Sequence, residues 1–219
     1  MKKKIVSLFT IVICIICTAS LQANPIVRME TNLGNIDLEL YRDATPVTVD
    51  NFLGYVNSGF YNNLLFHRVI KNFIIQGGGF YKIDYNIYPA SSDHSKIISA
   101  PIINESFNGL SNVRGTIAMA RTSSPNSATS EFFINHADNL FLDKANATDG
   151  VGYCVFGKVV EGLSVVDSIA QVQTTYVAAS FANFPYLPPV VISNVYLIPE
   201  PCTLVLLALG GMMLRKFKS

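Results

Sequence analysis

The sequence predicts a mainly β protein, built as a closed β-barrel or a sandwich with helices as caps. Short apolar runs separated by turn residues occupy most of the middle of the chain. Only two segments place apolar residues at helical spacing, and no internal repeat is present. A length of 219 residues suits one domain of ordinary size.

The first strands are predicted by alternation and by a turn. From Ile36 to Leu40, apolar and acidic residues alternate, which is the period of a half-buried strand. Residues 32–35 have the composition of a hairpin turn and join this strand to an earlier one at 26–30. Later strands are predicted in GTIAMAR, EFFIN, YCVFGKVV and PVVISNVYLI. Residues 81–99 are predicted to form a long, polar, tyrosine-rich connection.

Two helices are predicted between these strands. The first begins after Thr45, which can cap it, with Pro46 at the first helical position and Gly59 after its end. The second is expected within residues 161–171. Apolar stripes support both helices, namely Val49, Phe52, Leu53 and Val56 in the first, and Leu163, Val166, Ile169 and Ala170 in the second.

The two ends of the chain differ from the domain between them. Residues 1–23 begin with three lysines, continue with an apolar run from Ile5 to Cys17 and end at the small residue Ala23, which is the layout of a secretory signal peptide. Residues 199–219 contain an apolar run that as a helix would be about 18 Å long, shorter than the ~30 Å hydrocarbon core. We therefore expect a signal peptide at 1–23, a domain at 24–198, and a sorting or anchor segment at 199–219 with weak or transient membrane association.

Charge, cysteine content and motifs exclude several classes of function. Between residues 24 and 198, ten basic and fourteen acidic residues leave a net charge of −4, and no basic patch suggests nucleic acid. Only Cys154 and Cys202 follow the signal, too few for a disulfide framework, and Cys154 is expected to be buried. The histidines share no metal-ligand spacing, and no serine elbow, phosphate loop or dinucleotide fingerprint is present.

One segment combines features that a core strand usually avoids. Residues 66–80 read FHRVIKNFIIQGGGF, in which Arg68 and Gln76 stand among apolar residues. Taken alone, such an arginine more often belongs to the surface or to an ion pair. His67 is expected to be a packed, hydrogen-bonded structural residue. The residues by themselves lead to an exported, β-rich domain with an apolar groove and one arginine.

Four separated motifs then agree, in order and spacing, with one family. They are FHRVIKNFIIQGGGF, GTIAMARTSSPNSATSEFFIN, FLD and VFGKVVEGLSVVDSI. Through them the chain resembles the cyclophilins, which are peptidyl-prolyl cis-trans isomerases, over residues 26–198. The resemblance implies a closed eight-stranded antiparallel β-barrel capped by two α-helices. It also implies proline-containing polypeptides as substrates and no metal or cofactor, and we expect a monomer.

The resemblance implies roles for individual residues. Arg68 matches the catalytic arginine, and Gln76 matches the amide that binds the substrate backbone and steadies that arginine. Ala120 and Arg121 match the edge that pairs with the substrate backbone. The residues that match the pocket for the proline ring are Phe73, Ile74, Phe133 and Leu142. Phe66 and Phe132 are expected to lie in the core, because alternation turns them away from these neighbours.

Three expected substrate-binding residues depart from the family's usual pattern. Glu131 replaces a glutamine; a carboxylate there would disfavour acidic substrates and can pair with Arg121, or it is simply a solvated strand residue. Phe141 replaces the tryptophan of many eukaryotic relatives, so the cyclic inhibitor cyclosporin should bind weakly. Tyr153 takes a position often held by histidine, as in many bacterial members.

The carboxyl end carries a second resemblance. The PEP tripeptide at 199–201, the apolar run and the basic end are similar to the PEP-CTERM sorting signal of exported proteins in Gram-negative bacteria. This implies a cell-envelope location, in the periplasm, outer membrane or extracellular matrix, and an exosortase-type protease as a processing partner; a plain membrane anchor is the alternative. The expected function is an isomerase that assists the folding of exported proteins, and the alternative is a non-catalytic peptide-binding module or surface scaffold.

Overall fold

Strands dominate the computed structural model, which describes residues 24–83, 86–93, 95–175, 184–185 and 188–199. Within these residues the strands are β1 (Ile26–Thr31), β2 (Gly34–Leu40), β3 (Leu64–Ile70), β4 (Ile74–Ile83), β5 (Asn86–Pro89), β6 (Thr116–Met119), β7 (Phe132–Asn135), β8 (Val155–Glu161), β9 (Thr174–Thr175), β10 (Phe184–Pro185) and β11 (Val191–Ile198). The α-helices are α1 (Pro46–Asn57) and α2 (Leu163–Ala170). The predicted signal peptide, and the predicted sorting segment beyond its first residue, lie outside the described residues.

The main sheet closes on itself. Its strands follow the order β3-β11-β1-β2-β8-β6-β7-β4-β5, and β3 also pairs with β4. Eight strands therefore complete a ring, while β5 extends it as the second strand of a hairpin with β4. Pairs such as β1–β2 and β4–β7 are antiparallel. The closed barrel that the sequence predicted is confirmed, and the sandwich is excluded.

Alternating residues of the ring form one large apolar cluster, which we call the inner core. On β1, Val27 and Met29 are fully buried, and β2, α1 and α2 add further members. Phe52 of α1 lies in the middle of an aromatic group, with ring centroids 5.1–5.8 Å from those of Tyr61, Phe132 and Phe156. Phe66 and Phe132 belong to this cluster, as predicted. Both helices are thus held by the apolar faces that the sequence indicated.

The amino end of α1 is capped by a distant carboxylate rather than by Thr45. Pro46 occupies the first turn as predicted, but the Thr45 hydroxyl donates to the Tyr41 carbonyl 2.9 Å away. Glu105, which is buried, accepts from the backbone N–H of Val47 at 3.3 Å and of Thr48 at 2.8 Å. A carboxylate suits this place because the first N–H groups of a helix lack partners and carry partial positive charge.

The predicted long connection at 81–99 is wrong. β4 continues to Ile83, β5 follows at Asn86–Pro89, and a short 3₁₀ turn occupies Ala90–Ser92. Tyr81 and Tyr88 stack across this hairpin with ring centroids 5.7 Å apart. Tyr81 and Tyr88, two of the residues that suggested a loop, are therefore cross-strand partners. Residues 25–197 form one compact unit, and in the described part of the chain no helix has the length and apolarity needed to cross a membrane.

Candidate active site

A second, smaller apolar cluster lies apart from the inner core, and we call it the outer cluster. Phe132 and Phe133 are neighbours on β7, so their side chains point to opposite faces of the sheet. Phe132 joins the inner core and Phe133 the outer cluster. The buried members of the outer cluster are Ile74, Ala118, Phe133 and Val155, and the partly buried ones are Phe73, Leu110, Ala120, Leu142 and Tyr153. Six of these nine residues are ones that the sequence predicted.

The three remaining members were missed by sequence reasoning. Ala118 lies two residues before Ala120 and pairs with Val155 of β8. Alternation along β6, started at Ala120, could have found Ala118. In the same way, Val155 lies two residues after Tyr153, while Leu110 has no comparable signal because it lies outside the strands.

Arg68 and Gln76 are direct cross-strand partners on β3 and β4. The Arg68 Nη1 group donates to Gln76 Oε1 at 3.3 Å, and the guanidinium carbon lies 5.7 Å from the centroid of the Phe73 ring. Partial burial lowers the pKa of Arg68, although a guanidinium stays charged at neutral pH. Among the described residues, no carboxylate lies within 4.0 Å of this guanidinium. The sequence therefore correctly predicted a cation beside an apolar cluster. Some hydrogen-bond donors of the Arg68 guanidinium remain available to a ligand.

A β-bulge brings His67 to the same region. Phe66 pairs with Gly77 and Arg68 pairs with Gln76, so His67 is the extra residue on β3. His67 is buried, as predicted, and its Nε2 lies 3.3 Å from Glu131 Oε2. Its contact with the neighbourhood of the site was not predicted, because a bulge is a property of strand pairing that simple alternation does not reveal.

The Glu131 carboxylate is bound inside the site. Its Oε2 accepts from Gln76 Nε2 at 2.8 Å. Burial raises the pKa of Glu131, but hydrogen bonds from His67 and Gln76 outweigh burial and bring the pKa below its ordinary value. The expected pairing with Arg121 is wrong, and the side chain, which is 34% exposed, has partners in Gln76 and His67.

Arg121 pairs with a different carboxylate because the chain folds a later loop over it. Its guanidinium donates to Asp149 and to the Gly152 carbonyl, the latter at 3.0 Å, and lies 4.5 Å from the centroid of the Tyr153 ring. The hydrogen bond from Arg121, with two from backbone N–H groups, lowers the pKa of Asp149 to about 2. Within the described residues, no backbone–backbone hydrogen bond involves Arg121, so its peptide N–H and carbonyl are not paired with another strand.

Buried amides hold the segments that carry Phe73, Phe141 and Leu142. Asn139 donates to the Phe73 carbonyl at 2.9 Å and to Asn135 at 2.7 Å. This network continues through Asn112 to Asp143. Phe141 is 57% exposed and stacks on Phe73, with ring centroids 5.7 Å apart. Sequence reasoning missed these asparagines. Their only signal in the sequence is that Asn135 and Asn139 lie close together, at the ends of FFIN and ADN.

The outer cluster and the neighbouring polar side chains of Arg68 and Gln76 together form a surface that is apolar in one part and polar in the other. Phe133, Ile74 and Leu142 offer an apolar seat, while Arg68 and Gln76 supply donors at its border. A cavity of about 180 Å³ lies on the other side of Gln76, between Glu131 and the segment from Ala120. Such a surface can hold an apolar ring and direct a charged donor at a neighbouring atom.

Comparisons with known proteins indicate one family. The family described as cyclophilin type peptidyl-prolyl cis-trans isomerase/CLD matches residues 26–196. A peptidyl-prolyl cis-trans isomerase of Acinetobacter baylyi is 52% identical over 180 residues, which cover 82% of this chain and 89% of the relative. Peptidyl-prolyl cis-trans isomerase B of Escherichia coli is 50% identical over 149 residues, 68% and 85% of the two chains.

Solved structures extend the comparison to the fold. A crystal structure of a Cryptosporidium parvum cyclophilin type peptidyl-prolyl cis-trans isomerase is similar with a TM-score of 0.66 and 26% identity. The match covers 81% of this chain and 99% of that one. A second structure of that protein, in the presence of the dipeptide Ala-Pro, gives a TM-score of 0.64 and covers 80% of this chain and 99% of that one.

Proposed function

Because the chain belongs to the cyclophilin-type peptidyl-prolyl cis-trans isomerase family, it is an isomerase of X–Pro bonds, and we propose that Arg68 and the outer cluster are its active site. The observation that carries the proposal is a half-buried guanidinium beside an apolar seat, with no carboxylate within 4.0 Å in the described part of the chain. A cation placed there acts on a bound group instead of completing an ion pair.

The size of the task follows from the peptide bond. Amide resonance gives rotation a barrier of about 18–20 kcal/mol. A barrier near ~20 kcal/mol allows about 0.01 turnovers per second, and rates of roughly 10–1,000 per second require lowering it by about 4–7 kcal/mol. Rotation breaks no covalent bond. Preferential binding of the twisted amide over the planar one is therefore sufficient.

In the proposed mechanism, the outer cluster holds the proline ring and Arg68 binds the twisted bond. Phe133 and Leu142 contact the ring, and Phe73 is the member of the cluster whose ring lies beside the guanidinium. When the bond twists, the proline nitrogen regains its lone pair and accepts a hydrogen bond from Arg68. The planar amide offers no such acceptor. This interaction is made only in the transition state, and the partly desolvated surroundings strengthen it.

The substrate backbone would bind along the residues that follow β6. Arg121 has no backbone–backbone hydrogen bond among the described residues, while its side chain is held by Asp149 and stacked on Tyr153. Its peptide N–H and carbonyl can therefore pair with an extended substrate. Gln76 adds side-chain contacts at the same border. Proline-containing polypeptides are the substrate class of this site.

Substitution of Arg68 tests the mechanism. We expect Arg68→Ala to lower kcat/KM on a proline-containing test peptide about 100-fold, the usual loss for one transition-state donor, with an unchanged circular dichroism spectrum. Arg42→Ala is the matched control, because Arg42 forms an exposed ion pair with Asp50 at 2.7 Å, which makes it a surface arginine. Undiminished activity of Arg68→Ala would refute the assigned mechanism.

The alternative of a non-catalytic binding module has lost its two supporting features. The segment 81–99 contains a hairpin, and Glu131 is bound by Gln76 and His67. An isomerase assay of the unaltered protein separates a catalyst from a module that only holds proline-containing chains.

The cellular role is part of the proposal. Residues 1–23 have the layout of a signal peptide, and residues 199–219 are similar to a sorting signal, so the enzyme would assist folding in the cell envelope of a Gram-negative bacterium. An exosortase-type protease would process the carboxyl end. Mass spectrometry of the protein from native membranes tests both ends: we expect a chain that begins at Asn24 and lacks Ser219. A chain that still begins at Met1 would contradict export.

A further inference from the structure

Four side chains form a continuous row that ends at the proposed catalytic group. His67 Nε2 lies 3.3 Å from Glu131 Oε2, and the same oxygen accepts from Gln76 Nε2 at 2.8 Å. The other end of the Gln76 amide, Oε1, accepts from Arg68 Nη1 at 3.3 Å. Glu131 therefore lies two contacts away from the guanidinium and acts on it only through Gln76.

The chemistry of the row determines the orientation of the Gln76 amide. An ionised carboxylate only accepts hydrogen bonds, and a guanidinium only donates them. Between Glu131 and Arg68, Gln76 has one satisfactory orientation, with its NH₂ group toward Glu131 and its oxygen toward Arg68. A glutamine at position 131, as is usual in the family, has both a donor and an acceptor end and does not impose this choice.

His67 holds the carboxylate from the other side. Its Nδ1 is buried and has no hydrogen-bond partner among the described residues. A proton on Nδ1 would be a buried donor without an acceptor, so the hydrogen-bond network assigns the proton to Nε2, which faces Glu131. The ring is also packed edge-on against Phe80, with centroids 4.7 Å apart. The bulge in β3 is what brings this histidine to Glu131.

A glycine makes room for the carboxylate. A Cβ atom placed on Gly79 would lie 2.5 Å from Glu131 Oε1, closer than such contacts occur. The other charged group bordering the same cavity, Arg121, is bonded to Asp149 and does not compete for Glu131. The groups that face the carboxylate are thus His67 from β3 and the Gln76 amide and Gly79 from β4.

We propose that Glu131 is a positioning residue, held by His67, whose carboxylate turns the Gln76 oxygen toward Arg68 and so fixes the guanidinium. The inference rests on the proposed function, in which Arg68 donates to the twisted peptide bond. Glu131 does not touch the reacting atoms in this assignment. Loss of the Glu131 carboxylate should lower kcat and change KM little, because a fixed donor matters most when the peptide bond is twisted.

A double-mutant cycle tests whether Glu131 acts through Gln76. Glu131→Leu keeps an apolar chain of similar size without an acceptor, and we expect it to lower kcat about 10-fold with little change in KM. Added to Gln76→Ala, the same substitution should lower kcat no further. Additive losses would overturn the proposal. Asp50→Asn, which removes an exposed carboxylate on α1, is the control and should leave kcat unchanged.

The pH profile gives a second readout that a merely structural role would not change. Protonation of Glu131 gives it a donor and releases Gln76, so kcat/KM on an uncharged peptide should fall as the pH drops below about 4.5, through the lowered pKa of Glu131. Glu131→Gln does not titrate and should lack this fall, while circular dichroism confirms folding at each pH. The same acid limb in both proteins would overturn the proposal. Undiminished activity of Arg68→Ala would instead refute the proposed role of Arg68, on which this inference rests.

Discussion

The inner core and the outer cluster share strands, but their members differ in how deeply they are buried. On β7, Phe132 packs against Phe52, Tyr61 and Phe66 inside the closed ring, and all four rings are fully buried. Phe133, the next residue, belongs to a cluster in which more than half of the members are only partly buried. Most members of the inner core, by contrast, are buried. The outer cluster leaves part of its apolar surface available to a ligand.

The difference teaches how one sheet supports stability and function at once. Because side chains alternate between faces, a strand that fills the inner core can present an apolar seat on its other face without losing core packing. The outer cluster is held in place by polar groups, including Asn139 at the Phe73 carbonyl and Arg121 against Tyr153. Substitutions in the two regions should therefore separate stability from activity.

The largest expected effect is that of Phe132→Ala in the inner core. Removing this ring leaves a closed cavity among packed aromatics, and we expect the free energy of unfolding to fall by about 3–5 kcal/mol. The molecules that remain folded should keep their kcat/KM. Urea unfolding measures the first quantity and an isomerase assay the second, with Phe132→Leu as a milder control.

Phe133→Ala should lose less stability than Phe132→Ala but more activity. The space it leaves opens toward partly exposed neighbours, so the loss of stability should stay near the transfer cost of about 1.5–3 kcal/mol, without the added cost of a closed cavity. The seat for the proline ring is lost, and kcat/KM should fall at least about 10-fold. Equal stability losses for Phe132→Ala and Phe133→Ala would remove the distinction between the two regions.

Phe141→Ala tests the rim of the outer cluster and should have a smaller effect. Phe141 is 57% exposed, so its removal should change stability by no more than about 0.5 kcal/mol. Its stacking on Phe73 should steady that ring, and we expect kcat/KM to fall about 2–5-fold, chiefly through KM. The paired measurements of urea unfolding and KM would contradict this if stability changed more than activity.

The smallest expected effect concerns the ion pair that holds Arg121. The pKa of Asp149 is lowered to about 2 in the folded protein, so its contribution to stability is complete above its ordinary value of 3.8 and disappears as the pH falls toward 2. Asp149→Asn should therefore lower the Tm slightly at pH 6 and much less at pH 2.5. Thermal unfolding at the two pH values gives the comparison, and a constant difference would argue against this pair.

Much of the fold followed from local patterns. Alternation located β2 from Ile36 onward, and Pro46 with its apolar stripe located α1. The motif order predicted the closed eight-stranded ring, which alternation alone could not separate from a sandwich. The loop prediction at 81–99 was wrong because tyrosines suit both an irregular segment and a cross-strand pair, and the sequence does not show the partner.

The sequence predicted which residues belong to the site better than it predicted their hydrogen-bond and ion-pair partners. Six members of the outer cluster were named in advance, yet the partners of Glu131 and Arg121 were not. Partner choice depends on loops and bulges that bring together residues far apart in sequence, such as Glu105 and Thr48 at the start of α1. Composition and periodicity do not predict such contacts between residues far apart in the sequence.

The hairpin of β4 and β5 has a consequence for an enzyme whose substrates are proline-containing peptides. In the main sheet, among the described residues, β5 is the strand with an open side, since the other eight complete the ring. It is four residues long and ends at Pro89, which has no N–H to offer a visiting strand. The open edge is therefore short and ends at a residue that cannot donate to a neighbouring strand, which leaves little template for edge-to-edge pairing with an extended peptide.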